Sequence, residues 1–433
     1  LTELKSTGPR NSREKSILVG VLLPEGDHNP DDPLDEIRGL ARTAGLTVVG
    51  SLLQRRTHPD IATYIGSGKV EELKNLVEAH EADVVIFDND LGPAQTRNLE
   101  KAIGAKVIDR TEVILDIFAN RARTHEAHLQ VELAQLEYAL PRLKRMWTHL
   151  SRYKGGIGVR GPGEKQLEED RRLVGHRIRD LKEKLGKIQS RKEREVAGRG
   201  EVPTVGLVGY TNAGKSTLMN ALTGADVLVE DQLFATLDTR TRRWNFRGGG
   251  HVLLSDTVGF IRKLPHALVA SFKATLEEAR QADLLLHVVD ASSPEAEKQI
   301  DAVNEVLQEL DLTDHPTLLV LNQADRVTDR SFLDVLQARH EAAVVISAKT
   351  GLGLDRLELA VREALHDQAL DAEIETDVSN GRVLAYLARH AQVRERRYTD
   401  DRVALSCRLP RRCLDYLREH GAAVRTGAPH IYA

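Results

Sequence analysis

Cysteine is almost missing from this chain: Cys407 and Cys413 are the only two in 433 residues. That scarcity excludes a disulfide framework and makes a thiolate metal site implausible. No apolar run reaches the ~18 residues a membrane-crossing helix needs. The opening stretch, LTELKSTGPRNSREK, lacks the apolar core of a secretory signal. These absences lead us to expect a protein of the reducing cytoplasm with no membrane span. What is present is the profile of a soluble globular chain, 41% hydrophobic and 29% charged. The length allows about three domains.

The small net charge of -4 hides an asymmetry. From Arg142 to Arg199 there are 18 Lys or Arg against 8 Asp or Glu. Such a block implies a polyanionic partner, or else a solvated helix whose charges alternate.

One motif organises the rest. Residues 209–216 read GYTNAGKS, the G-x-x-x-x-G-K-S pattern of a phosphate-binding P-loop. An apolar strand, Val205–Val208, precedes it and a helical pattern follows from Thr217. The loop would present backbone N–H groups of Gly209, Thr211, Asn212, Ala213 and Gly214 to phosphate oxygens, with Thr217 just beyond. Lys215 can reach the β- and γ-phosphates, and Ser216 can ligate magnesium. The helix N-terminus adds its own preference for anions.

Three strand ends complete the pattern. Asp256 closes the strand Val252–Leu254 and can hold magnesium through water. Gly259, in the same D-T-V-G turn, is placed to sense a γ-phosphate. Asn322-Gln-Ala-Asp325 follows the strand Thr317–Leu321. The Asp325 carboxylate can accept both N1–H and N2–H₂ of guanine, a fork that adenine cannot fill. Asn322 would brace the neighbouring loops. Ser347-Ala348-Lys349 follows the next strand and offers a backbone N–H near guanine O6.

Periodicity divides the chain into four segments. Residues 1–120 alternate strands with helices, as in a small parallel α/β domain. Residues 121–199 carry leucines at spacings of three and four, a coiled-coil-like seam on two helices forming an antiparallel hairpin. Pro141 is expected to kink or break the first helix. Between the helices lies a glycine-rich loop decorated by Arg152, Lys154, Arg160 and Lys165. It reads as a presented phosphate-backbone-binding loop, the alternative being a plain linker. Residues 200–366 form the nucleotide domain, and residues 367–433 a small C-terminal α/β unit. Tyr64-Ile-Gly-Ser-Gly-Lys69 in the first segment could cradle an anion or be an ordinary tight turn.

On these residues the chain resembles the HflX family of ribosome-associated GTPases, within the wider P-loop group that includes Era and Obg. The matching stretches are GYTNAGKST, DQLFATLDTRTRR, DTVGFI, NQAD and SAK. The most family-specific one is YKGGIGVRGPGEKQLEEDRR, and YIGSGKVEEL adds to it. The resemblance implies a cytoplasmic GTP hydrolase, monomeric in solution, that binds GTP or GDP with Mg2+ and engages the large ribosomal subunit and its rRNA. It implies dissociation or rescue of stalled ribosomes, with hydrolysis stimulated by the ribosome. It also implies that Thr236 is the switch threonine that ligates magnesium when γ-phosphate is present. Lys215, Thr236 and Gly259 would then be the catalytic set.

The chain departs from common GTPase patterns at two positions. Phe260 stands where many GTPases place a water-orienting glutamine, and the resemblance is to members with a hydrophobic residue there. Gln323 stands where the family pattern has lysine, which implies altered nucleotide affinity. Two other functions fit the sequence: an RNA-remodelling NTPase with a second nucleotide site near Gly66–Lys69, and a nucleotide-gated protein scaffold.

Overall fold

The computed structural model describes residues 14–24, 29, 32–146, 162–197, 202–224, 233–234, 240–262, 279–313, 315–367, 369–399, 401–410 and 413–426. These fall into two compact units. The first contains the described residues up to Ile188 together with Leu233, Phe234, Ile261 and Arg262; the second holds the remainder.

The first unit is built on a parallel sheet of order β2-β1-β3-β4. Its strands are β1 (Lys15–Leu22), β2 (Thr47–Arg55), β3 (Val84–Phe87) and β4 (Lys106–Asp109). β1 and β3 are continuous apolar runs because central parallel strands are covered on both faces. The helices α1 (Asp35–Thr43), α2 (Ser67–His80) and α3 (Pro93–Ile103) alternate with them as the sequence predicts.

A further helix, α4 (Arg110–Arg121), starts directly off β4 and was not expected. The Asp109 carboxylate ends the strand and caps the helix, accepting the Glu112 N–H at 2.9 Å. The same carboxyl group accepts from Tyr138 at 2.8 Å and Arg142 at 3.0 Å on the next helix. Burial pushes its pKa up, against these stabilising bonds. Arg110 lies buried between Glu36 at 2.5 Å and Asp88 at 2.7 Å. Glu36 also accepts from Arg262 at 3.2 Å. Phe234 is fully buried edge-on to Phe118, ring centroids 4.6 Å apart.

The helical pair is α5 (His125–Met146) and α6 (Pro162–Ala197). Its seam contains Leu129, Leu133, Val174, Ile178 and Leu181, flanked by Leu136, Leu140, Leu143, Leu185 and Ile188, as expected; the Leu167 side chain, also expected in it, lies outside the described residues. Glu132 takes both Nε and Nη2 of Arg177 at 2.7 and 2.8 Å. Two expectations need correction. α5 continues through Pro141, so the break allowed for there does not occur. Tertiary packing of the seam compensates the one amide donor that proline lacks. The glycine-rich loop is shorter than predicted, because α6 already begins at Pro162, a residue suited to the first helical turn. Lys165 is therefore helical, not a loop residue.

The second unit holds a six-stranded sheet of order β10-β9-β8-β5-β7-β6. The strands are β5 (Thr204–Gly209), β6 (Arg240–Asn245), β7 (His251–Asp256), β8 (Leu284–Asp290), β9 (Thr317–Asn322) and β10 (Val344–Val345). All pair in parallel except β6 with β7. Among the described residues its α-helices are α7 (Lys215–Thr223), α8 (Ala296–Glu309), α9 (Arg330–Arg339) and α10 (Leu354–Asp367). One core cluster, Val205, Leu207, Leu254, Leu286, Val288 and Val320 among its members, packs beneath α7 and α10.

A second sheet, antiparallel and of order β12-β13-β11-β14, follows. Its elements run β11 (Ala369–Asp377), α11 (Gly381–His390), β12 (Gln392–Thr399), β13 (Arg402–Pro410), α12 (Cys413–Glu419) and β14 (Ala423–Thr426). This is a β-α-β-β-α-β split unit. Cys407 and Cys413 are buried in its core. Among the described residues no helix is long and apolar enough to cross a membrane.

Candidate functional site

The P-loop leaves β5 and enters α7 with four backbone carbonyls held by side chains. Lys215, itself buried, donates from Nζ to the Gly209 carbonyl at 2.8 Å and the Tyr210 carbonyl at 2.9 Å. Gln323 Nε2 donates to the Asn212 carbonyl at 3.0 Å, and Asn322 Nδ2 to the Ala213 carbonyl at 2.9 Å. Glycine is required at both ends. A Cβ at Gly209 would strike the Val288 carbonyl, and one at Gly214, where φ is 91°, would strike the Asn322 amide. Burial drives the Lys215 ammonium down to about 8, against the pull of Asp256.

Ser216, in the first turn of α7, donates from Oγ to Asp256 Oδ2 at 2.8 Å. Asp256 is fully buried at the end of β7. A hydroxyl and a carboxylate so placed fit a magnesium ion that takes its other ligands from phosphate and water. Such a site needs no cluster of three protein acids or imidazoles, and among the described residues there is none.

Gly259 packs beside the loop: a Cβ there would lie 3.0 Å from Thr211 Cα and 3.2 Å from Lys215 Nζ. Phe260 is buried, and its backbone bonds hold the loop, accepting from Thr211 N–H at 2.7 Å and donating to the Gly209 carbonyl at 3.1 Å. Its ring therefore serves as packing. Thr217 is partly buried in α7.

The base side gathers at the ends of β9 and β10. Asn322 bridges them, accepting the Ala348 N–H at 3.0 Å on the side opposite its bond to Ala213. Asp325 is exposed, and its Oδ1 accepts the Ser347 hydroxyl at 2.6 Å. Ser347 and Ala348 are buried while Lys349 is exposed. The structure thus brings together Gly209, Thr211, Asn212, Ala213, Gly214, Lys215, Ser216, Thr217, Asp256, Gly259, Asn322, Asp325, Ser347, Ala348 and Lys349 at the C-terminal ends of the sheet strands β5, β7, β9 and β10.

The expected roles of Thr236, Arg152, Lys154 and Arg160 fall outside the described residues. The glycines near Lys69 make an ordinary helix entry: Gly66 caps α2, and its N–H goes to Gln54 Oε1 at 3.0 Å. Two groups escaped the sequence reading. Arg326 donates to Gln323 Oε1 at 2.6 Å. His287 on β8 is buried, and burial with the charges of Lys215 and His340 drives its pKa down to about 4. Only the three-residue interval from Gln323 to Arg326 could have signalled the first.

The parallel sheet, the P-loop and the two base-side strand ends define a P-loop GTPase with flanking α/β domains. Three families match in sequence: "GTP-binding GTPase N-terminal" over residues 31–119, "GTP-binding GTPase Middle Region" over 121–199, and "50S ribosome-binding GTPase" over 204–323. The chain is 49% identical over 392 residues to GTPase HflX of Magnetococcus marinus, covering 90% of each protein. It is 46% identical over 401 residues to GTPase HflX of Escherichia coli, covering 92% of this chain and 94% of that one. A GTP-binding protein of Sulfolobus solfataricus, solved with GDP, is similar at 25% identity and TM-score 0.44, over 81% of this chain and 98% of that one. The chain belongs to the HflX family of GTPases, and its activity is GTP hydrolysis.

Proposed function

We propose that this GTPase works on the large ribosomal subunit, using GTP-dependent switching to dissociate or rescue stalled ribosomes. The observation that carries the nucleotide part is the Asn322 bridge, which ties the P-loop to the strand end bearing Ala348. It sets a phosphate cradle and a guanine-reading carboxylate, Asp325, in one frame. Ser347 orients that carboxylate, which receives N1–H and N2–H₂ of the base. The backbone N–H groups from Asn212 to Ser216 surround the phosphates, and Lys215 neutralises them. Ser216, Asp256 and Thr236 would hold Mg2+, which supplies charge neutralisation on the phosphate oxygens.

The ribosomal part rests on family membership and on the "50S ribosome-binding GTPase" match. Phe260 cannot orient a water, so catalysis needs a group or an ordering supplied from outside. The basic segment between α5 and α6, with Arg152, Lys154 and Arg160, together with Lys165 in the first turn of α6, would meet rRNA phosphates. The chain is proposed to act in the cytoplasm, with residues 1–120, 121–199, 200–366 and 367–433 as its four parts. Sedimentation with purified large subunits, in GTP and in GDP, tests the reading. Nucleotide-dependent co-sedimentation supports it, and equal absence of binding in both contradicts it.

A further inference from the structure

Gln323 sits at a bend that the chain does not take by default. Its φ is 62°, in the left-handed region, at the end of β9. The side chain makes two bonds of opposite sense. Nε2 donates to the Asn212 carbonyl at 3.0 Å, and Oε1 accepts from Arg326 Nη1 at 2.6 Å. The amide can face only one way, because a carbonyl only accepts and a guanidinium only donates. Asn212 too has a positive φ, 62°, at the P-loop tip. A non-glycine residue held there needs surrounding bonds to stay.

The Asn212 carbonyl belongs to the same peptide plane as the Ala213 N–H. In a trans peptide the two point in opposite directions. Fixing the carbonyl on the Gln323 amide therefore aims the Ala213 N–H to the other side of the loop. That N–H makes only a long bond of 3.3 Å, to the Tyr210 carbonyl. A phosphate oxygen can replace so weak a partner. Asn322 does the same for the next plane through the Ala213 carbonyl.

We infer that Gln323 and Arg326 form a two-residue clamp that positions the Ala213 amide as a phosphate donor. Gln323 supplies the donor to the loop, and Arg326 fixes the amide so that this donor stays aimed. The inference rests on the proposed guanine-nucleotide reading of the same pocket. The clamp acts on the phosphate cradle and not on the base. It should affect GDP and GTP alike and leave base preference unchanged. It also accounts for glutamine at this position: a lysine could donate to Asn212 but would offer Arg326 no acceptor.

The test is equilibrium binding of fluorescent GDP and GTP to the full chain. The proteins are wild type, Gln323→Ala, Gln323→Glu, Arg326→Ala and the Gln323→Ala/Arg326→Ala pair. Their thermal midpoints are measured to show that each is folded. Losing one neutral hydrogen bond should weaken both nucleotides roughly 2- to 10-fold in Gln323→Ala. Gln323→Glu keeps the Arg326 pair and loses the donor, so it should bind no better than Gln323→Ala. Arg326→Ala should weaken binding in the wild-type background and change nothing in Gln323→Ala. Full-strength binding by folded Gln323→Glu would overturn the clamp, as would an Arg326→Ala effect that is undiminished in the double variant. Asp325→Asn separates the two layers of the argument. If wild type binds GDP and Asp325→Asn shifts preference toward xanthine nucleotides, a failed clamp leaves the pocket reading intact. If wild type binds no guanine nucleotide, both fall together.

Discussion

Asp325 is the side chain proposed to discriminate between bases. Ser347 holds one of its oxygens at 2.6 Å, which sets the plane of the carboxylate. Asp325→Asn replaces an acceptor by a donor opposite the guanine N–H groups. GTP binding should weaken by roughly 1.5–3 kcal/mol, the range for a hydrogen bond to a charged group. Xanthosine triphosphate should gain in relative terms, and competition binding measures the ratio. His287 gives a second residue-scale prediction. Its pKa is about 4 in the fold against an ordinary 6.5, so between those values the unfolded chain binds a proton that the folded chain refuses. Stability is therefore full above pH 6.5 and falls as the pH drops toward 4. From pH 7 to pH 5 the loss should be about 2 kcal/mol. Urea unfolding of wild type and His287→Gln at both pH values isolates it, since the variant lacks this titration. Asp325 was legible in sequence because its tetrapeptide follows an apolar strand. His287 was not: a histidine inside LLLHVVD gives no sign of which charges will face it.

At the scale of elements, parallel strands and amphipathic helices were legible because burial writes a period into the chain. The seam from Leu129 to Ile188 is one such pattern. α4 was not legible, because no turn residues separate it from β4; Asp109 ends the strand and caps the helix at once. Nor was the start of α6 at Pro162, where glycines on both sides mask a favourable first-turn proline. The helix junction also carries a charge arrangement that no local pattern reveals. Arg110 comes from α4, Glu36 from α1 and Asp88 from the end of β3, and all three are nearly buried. Removing the cation takes a buried partner from both carboxylates, while Glu36 keeps its bond from Arg262. Arg110→Ala should cost roughly 3–5 kcal/mol of unfolding free energy, as breaking a buried pair from one side does. Denaturant titration measures it, and a loss below about 1 kcal/mol would show that the acids find other partners.

For the whole molecule, the fold supplies the P-loop and strand ends proposed to hold the nucleotide, and a buried phenylalanine where water would need a polar guide. The proposed rRNA contacts of the basic segment around the start of α6 supply the second half of the account. Reversing Arg152, Lys154, Arg160 and Lys165 should weaken subunit binding. Each lost phosphate contact should reduce the log–log salt slope by about 0.7–0.9, readable by sedimentation across a salt series. Nucleotide binding by the free chain should be unaltered. The central claim is that this pocket binds GTP by itself but hydrolyses it efficiently only on the ribosome. Single-turnover GTP hydrolysis, with and without purified large subunits, tests that most directly. The account predicts slow turnover by the chain alone and a large acceleration with subunits; fast turnover by the chain alone, unaltered by subunits, would contradict it.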